Sequence, residues 1–495
     1  MERSSRPRRA ADRRAAFAAA RAALGALLVA ALAAPFAAPS ALAQPLPEPV
    51  AAAIRAAAIA PHEVGAIVVP LDGGPPAVSH NAELPFNPAS TMKLVTTYAA
   101  LSLMGPDYRW HTAIQMRGRL DGEVLNGDLV LRGGGDPKLV IEDMVELVAR
   151  LRASGLREIR GDLVIDDTLY ELGDDAAASI DGDASQPYNV RPNAALMNFK
   201  AVRVVVRPNG TRVELALDPP LADVQVRNEV KLVRGACRFG APGLAISDAG
   251  PAQRPVIRIG GAYSAGCGEQ STMAAVLDHR QFVHGLFGAA WRAAGGVWTG
   301  RTVVERDVAT RLPELARWTS PRTLADVVRD INKFSNNVMA RQVMLQTSTD
   351  APDRRPATLD RARRTVLAWL ERRGLRTPEL VIDNGSGLSR QERISPSGLA
   401  RLLQHAARSD HGAIFVGSLP VAGVDGTMRH RLAAEPVAGR AWIKTGSLSG
   451  VRSIAGYVDA ASGRRWAVVL IVNGPRADGS APAQDALIRW VHASL

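Results

Sequence analysis

The sequence predicts a multidomain α/β protein, built on an antiparallel five-stranded sheet with helices and interrupted by β-rich inserted segments. Two strand-like runs lie near the start and three near the end, with helix-prone stretches at both termini, so distant chain segments assemble one sheet. Between them, from about Arg109 to Gly300, short β-like runs replace the helical texture. The length of 495 residues, 47% hydrophobic and 22% charged, suits two to four packed domains and argues against disorder.

Taken in order, residues 1 to 21 carry seven arginines against Glu2 and Asp12, an apolar run extends from about Ala22 to Ala38, and Ala41-Leu42-Ala43 follows. A basic segment, an apolar segment and an A-x-A site predict a signal peptide over 1–43, cleaved after Ala43. The alternative is an uncleaved anchor, but the run is short and alanine-rich for a span. Cleavage lowers the formal charge from +12 to +7, and no later run is long and apolar enough to cross a bilayer. Pro47 to Ile59 is helix-prone. Val64 to Leu71 (VGAIVVPL) reads as a buried strand, and Ala77 to Asn81 as its neighbour across the Gly73-Gly74-Pro75-Pro76 turn. A helix starts around Ser90 and ends at Gly105, a suitable C′ residue.

Inside the insertion, DLVLRG, REIRGDLVIDD, VRVVVRPNGTRVELAL and PVIRIGG read as strands, with Pro208-Asn209-Gly210 as a hairpin turn. Helices are expected near Ile141 to Ala153 and His279 to Ala294. Helical texture returns from Thr323 to about Gln346 and from Leu359 to Arg373. AWIKTGS, VRSIAGYVDA and RRWAVVLIVNG supply the last three strands, Ala461-Ser462-Gly463 turns the final pair, and Gln484 to Leu495 closes as a helix.

The basic balance is nearly all arginine, since only six of the 60 basic residues are lysines. No basic stretch is interleaved with aromatics and no nucleic-acid motif occurs, so no nucleic-acid partner is implied. Cys237 and Cys267 form an even pair in an exported chain, which suggests a disulfide within the insertion, and no histidines stand at zinc-ligand spacing beside them. The nine histidines form no metal-ligand pattern. Gly133-Gly134-Gly135-Asp136 lacks the ending of a phosphate loop and reads as a tight turn.

Three short motifs carry chemistry. In Ser90-Thr91-Met92-Lys93, serine and lysine three apart at a helix start share a face, so the amine can reach the hydroxyl. A serine needs its proton removed, and a lysine of depressed pKa can remove it, whereas arginine cannot. No other lysine of this chain has serine three residues before it. In Ser335-Asn336-Asn337, the serine hydroxyl can relay protons and Asn337 can hold a substrate amide. In Lys444-Thr445-Gly446, followed by Ser447, a strand edge can pair with an extended peptide. Its lysine and hydroxyl can hold a carboxylate, and glycine can let the ligand approach. Asp425 and Arg429, near the third motif, fix a loop rather than line the cleft, and His430 serves surface or packing.

Together, in the order S-x-x-K, S-x-N, K-T-G, the motifs resemble those of the penicillin-recognising serine hydrolases. The 245 residues between Ser90 and Ser335, with FNPASTMKL, NGDLVLRGGGDPKL, INKFSNNVMA, DNGSGLSR, SLPVAGVDGTMRHR and IKTGSL, make the chain similar to the D-alanyl-D-alanine carboxypeptidase/endopeptidase family, the class C low-molecular-mass penicillin-binding proteins. The resemblance implies a transpeptidase/β-lactamase-like domain over 44–108 and 301–495, an inserted domain over 109–165 and 259–300, and a second β-rich domain over 166–258 nested within it. It implies Ser90 as acyl-ester nucleophile, Lys93 as general base, and Ser335 with Asn337 in proton relay and positioning. Lys444 and Thr445 would bind carboxylate, and the N–H groups of Ser90 and Ser447 would form the oxyanion hole. The implied partners are peptidoglycan peptides ending in or cross-linked through D-alanine, with β-lactams as covalent inhibitors, in the periplasm. No metal or organic cofactor is implied. Asp383-Asn384-Gly385-Ser386-Gly387 departs from the aspartate-glycine start of that family, leaving the loop's role open. A serine β-lactamase and a non-catalytic cell-wall-binding protein are the alternatives.

Overall fold

VGAIVVP contains no residue suited to water, so a strand of this sequence needs cover on both faces. In the computed structural model, which describes residues 45–173, 180–237, 243–251, 254–308, 311–349 and 356–495, that strand is β1 (Val64–Pro70), buried along its whole length. The expected signal peptide over 1–43 lies outside the described residues. Successive side chains of β1 enter two cores, Val64, Ala66 and Val68 on one face and Ile67 and Val69 on the other. With β2 (Val78–His80), β3 (Ala441–Leu448), β4 (Val451–Asp459) and β5 (Arg465–Asn473), it forms an antiparallel sheet in the order β3-β4-β5-β1-β2. The last strand in the chain is therefore central, and the lysine-bearing β3 lies at an edge.

Helices Glu48–Ala56 and Ala481–Ser494 pack on one face of this sheet. On the other face lie α1 (Lys93–Met104), α2 (Leu324–Phe334), α3 (Asn337–Gln346), α4 (Leu359–Arg372) and α5 (Pro396–Ala407). The helical texture expected from Thr323 to Gln346 is interrupted at Ser335, which adopts a left-handed conformation (φ 57°, ψ 35°) between α2 and α3. Among the described residues, no helix is long and apolar enough to cross a membrane.

Among the described residues, the interruption is built on three sheets. A seven-stranded sheet takes His111–Asp121, Val124–Arg132, Glu158–Ile159, Leu163–Asp166, Val297–Trp298, Thr302–Val304 and Glu314–Thr319. Its apolar side is closed by helices Ile141–Ala153 and His279–Ala293. Between Asp166 and Val297 the chain builds two three-stranded sheets, one of Val202–Asn209, Arg212–Asp218 and Gln270–Ala274, the other of Gln225–Val233, Leu244–Asp248 and Val256–Ser264. Gly210, at φ 60°, turns the expected hairpin, and Cys237 and Cys267 are disulfide-bonded. Two sequence boundaries fall inside sheets. Thr302–Val304 pairs with Leu163–Asp166 and Glu314–Thr319 with His111–Asp121, so 301–319 joins the insertion. Gln270–Ala274 pairs with Val202–Asn209, so the nested part runs past 258. Alternation marks a strand; it does not name the partner.

Candidate active site

The Ser90 turn is held before its helix begins. Ala89–Met92 forms a single 3₁₀ turn that runs into α1. At the end of β5, Asn473 accepts from the Asn87 N–H at 2.7 Å and donates to the Asn87 carbonyl at 3.0 Å. Asn87 Oδ1 accepts from the Ala89 N–H at 2.9 Å, and Ser453 Oγ on β4 donates to the Pro88 carbonyl at 2.6 Å. Ala89 is left-handed (φ 44°), a conformation uncommon for a residue with a Cβ and one that this over-determined setting sustains. Ser90 itself stays partly exposed.

One turn on, Lys93 is fully buried. Its Nζ donates to Ser90 Oγ at 2.9 Å, to Asn337 Oδ1 at 2.6 Å and to the Ser386 carbonyl. Burial holds its pKa well below the ordinary lysine value; the Lys444 ammonium and Arg341 push the same way, and the Glu392 carboxylate opposes them. Asn337 reaches Lys93 because Ser335 ends α2 and the Asn336 side chain caps α3, accepting from Met339 N–H at 3.0 Å. The middle residue of the second motif thus caps, while its neighbours face the lysines.

Lys444, on β3, is also fully buried, and burial brings its pKa down to about 7. Its Nζ donates to Ser335 Oγ at 2.9 Å and to the Thr445 carbonyl at 2.7 Å. Thr445 Oγ1 donates to Thr427 Oγ1 at 2.8 Å in an exposed setting. A Cβ on Gly446 would lie 2.2 Å from Ser453 Oγ, 2.8 Å from Pro88 O and 3.0 Å from Ser90 N, so the glycine admits the serine turn itself. The Ile443 N–H points off the sheet to Pro420 O at 2.7 Å. By the two-residue period of a strand, the N–H groups of Thr445 and Ser447 point off the same edge, and the Ser447 side chain is exposed.

The loop of open role packs against α1 and the Ser90 turn. Thr96 Oγ1 donates to the Gly385 carbonyl at 2.6 Å, and a Cβ on Gly387 (φ 81°) would strike Ala89 O at 1.9 Å. Sequence reasoning does not single out Ser386, Gly387, Glu392 or Thr427; their one signal is their place in DNGSGLSR and GVDGTMRHR or close by. Asp425 does fix a loop. It pairs with Lys333 Nζ at 2.6 Å and accepts from Val421 N–H at 2.8 Å, while Arg429 and His430 are exposed. Gly134 serves a close crossing, since a Cβ would lie 1.7 Å from His111 O. Among the described residues no three His, Cys, Asp or Glu side chains gather as a metal site.

The family model described as D-Ala-D-Ala carboxypeptidase 3 (S13) matches residues 46–494. The chain belongs to this family. Within it, the chain is 26% identical over 399 residues to the D-alanyl-D-alanine carboxypeptidase DacB of Haemophilus influenzae, covering 78% of this chain and 80% of that one. It is 29% identical over 449 residues to the D-alanyl-D-alanine carboxypeptidase of Actinomadura sp. (strain R39), covering 86% and 80%. The crystal structure of penicillin binding protein 4 (dacB) from Haemophilus influenzae has the same fold, with a TM-score of 0.74 at 22% identity over 89% of this chain and 99% of that one. The D-Ala-D-Ala carboxypeptidase family is one of serine hydrolases, and both the enzyme class and the transpeptidase-like fold expected from the sequence hold.

Proposed function

We propose that Ser90 is the nucleophile of a D-alanyl-D-alanine carboxypeptidase that also cleaves D-alanine cross-links in peptidoglycan and is acylated by penicillins. The observation that carries this reading is the contact between Ser90 Oγ and a buried amine, Lys93 Nζ, at 2.9 Å. Neutral Lys93 takes the hydroxyl proton as Ser90 attacks the carbonyl of the penultimate D-alanine. The acyl chain lies along the open edge of β3 as an added strand, and the N–H groups of Ser90 and Ser447 hold the oxyanion. Lys444 and Ser335, in contact at 2.9 Å, pass a proton to the departing amine, which is free D-alanine or the amine of a cross-linked partner. Thr445 and Thr427 receive the terminal carboxylate, with the Lys444 charge behind them. Water then hydrolyses the ester.

We place this work in the periplasm. The Cys237–Cys267 bond fits an oxidising compartment, and the basic, apolar and A-x-A segments of 1–43 fit an export signal. A fluorescent penicillin on purified protein, followed by peptide mass spectrometry, tests the reading. A stable adduct on the Ser90 peptide, with D-alanine release from a D-alanyl-D-alanine peptide, is expected. Rapid turnover would indicate a β-lactamase, no label a binding scaffold, and an adduct on another residue would overturn the nucleophile.

A further inference from the structure

Behind Lys93 lies a carboxyl group that the acyl-transfer scheme leaves unused. Glu392 is fully buried. Its Oε1 accepts from the N–H groups of Gly385 at 2.8 Å and Asn384 at 3.1 Å, while Oε2 has no hydrogen-bond partner among the described residues. Those two amides open the turn whose Ser386 carbonyl accepts from Lys93 and whose Gly387 lies close against the Ala89 carbonyl. One carboxylate oxygen therefore sets the aim of a loop that touches the lysine at one residue and the serine turn at the next.

We propose that Glu392 is a positioning residue for acylation, holding the 384–387 turn against Lys93 and the Ser90 turn. This inference rests on Lys93 acting as the base of Ser90. The charged groups around the pair are Lys444 and Arg341 on the Lys93 side and Asp383 on the Glu392 side. Burial pushes the Glu392 carboxyl up to about 7, with Asp383 adding to the rise and Lys93 and the two amides opposing it. The charges of carboxyl and amine thus act on one another, so their ionisations belong to the pair. Arg341, itself buried and donating to the carbonyl of Tyr188 at 3.3 Å, lies against the same loop through a 3.5 Å contact of Nε with Ser386 Oγ.

Glu392→Gln is the test, because it keeps an oxygen for the two amides while removing the charge. The readout is the acylation rate constant by a chromogenic penicillin across pH, with the adduct located by mass spectrometry. Without the carboxylate the Lys93 ammonium is less stable, so the acid limb of the profile should move to lower pH by about one unit. Glu392→Ala, which also frees the turn, should lower the plateau about tenfold or more, the cost of misplacing a catalytic group. An unmoved acid limb in folded Glu392→Gln, or loss of acylation at every pH without a shift, overturns the inference. If neither variant folds, infrared difference spectra of the wild type decide. A buried carboxyl must ionise in the pH interval of the acid limb, and its absence overturns the inference equally. Failure of the wild type to label at Ser90 would instead strike the underlying reading, so the two failures are distinguishable.

Discussion

Replacing Lys93 by methionine separates its chemical role from its volume. The side chain is fully buried, so methionine keeps the packing while removing the amine that contacts Ser90 Oγ, Asn337 Oδ1 and the Ser386 carbonyl. Loss of a general base costs about 10²- to 10⁴-fold in rate, which is about 3 to 5.5 kcal/mol of transition-state stabilisation. Stability responds differently. The buried Ser386 carbonyl and the partly buried Asn337 Oδ1 lose their donor, at about 1–3 kcal/mol for a fully buried acceptor, while the variant escapes the cost of burying an amine. The folded-state pKa of Lys93 is depressed, so between that lowered value and the unfolded value near 10.4 the unfolded chain binds more protons and stability rises with pH. That rise, about 1.4 kcal/mol per pH unit for one proton, should disappear from the difference between wild type and variant once pH exceeds about 10.4. The assay is the acylation rate constant at saturating penicillin, paired with denaturant unfolding from neutral to alkaline pH. Acylation within about tenfold of wild type, in a variant shown to label at Ser90, would refute the general-base assignment.

Three further outcomes are expected. Gly446→Ala places a Cβ 2.2 Å from Ser453 Oγ and 2.8 Å from Pro88 O, so it should destabilise by about 1–3 kcal/mol and slow acylation, whereas Gly417→Ala, with open space, should do neither; calorimetry with penicillin labelling checks both. Asp425→Ala strips the nearly buried Lys333 ammonium of its partner, but Asp425 is 41% exposed, so about 1–2 kcal/mol is expected, with KM rising more than kcat as the Thr427 loop loosens; steady-state kinetics on a D-alanyl-D-alanine peptide reads this. Replacing Cys237 and Cys267 by serine should cost about 3.5 kcal/mol for a 30-residue separation while sparing acylation of the folded fraction, measured by thermal melts and labelling.

Much of the site is legible in the sequence because titratable amines are scarce here. In a chain that uses arginine for most of its positive charge, Lys93 and Lys444 stand out by their chemistry alone. The five-stranded sheet is legible for a related reason: VGAIVVP and RRWAVVLIVNG are too apolar to have an exposed face. What stays hidden depends on contacts between distant segments. Glu392 looks like any charged loop residue until the amides of Asn384 and Gly385 close over it. The left-handed break at Ser335 contradicts helical texture on both sides and follows from tertiary demands on its hydroxyl. The strands at 302–304 and 314–319 escape the sequence boundaries because their partners lie nearly 140 and 200 residues earlier.

The placement of β5 at the centre of its sheet sets a timetable for synthesis. Val64 pairs with Val472, so a strand made among the first residues waits for one made almost last. At ribosomal rates of about 5–20 residues per second, that interval is roughly 20–80 s. During it the segment 111–319 has every strand partner of its own sheets already made and can fold as a local unit. The fully apolar β1 has only the short β2 to pair with and presents its other edge as a template for the wrong strand. Chaperone dependence and loss on truncation should therefore concentrate at the C-terminus, where removing the last 31 residues would take away the strand on which both halves of the catalytic sheet depend.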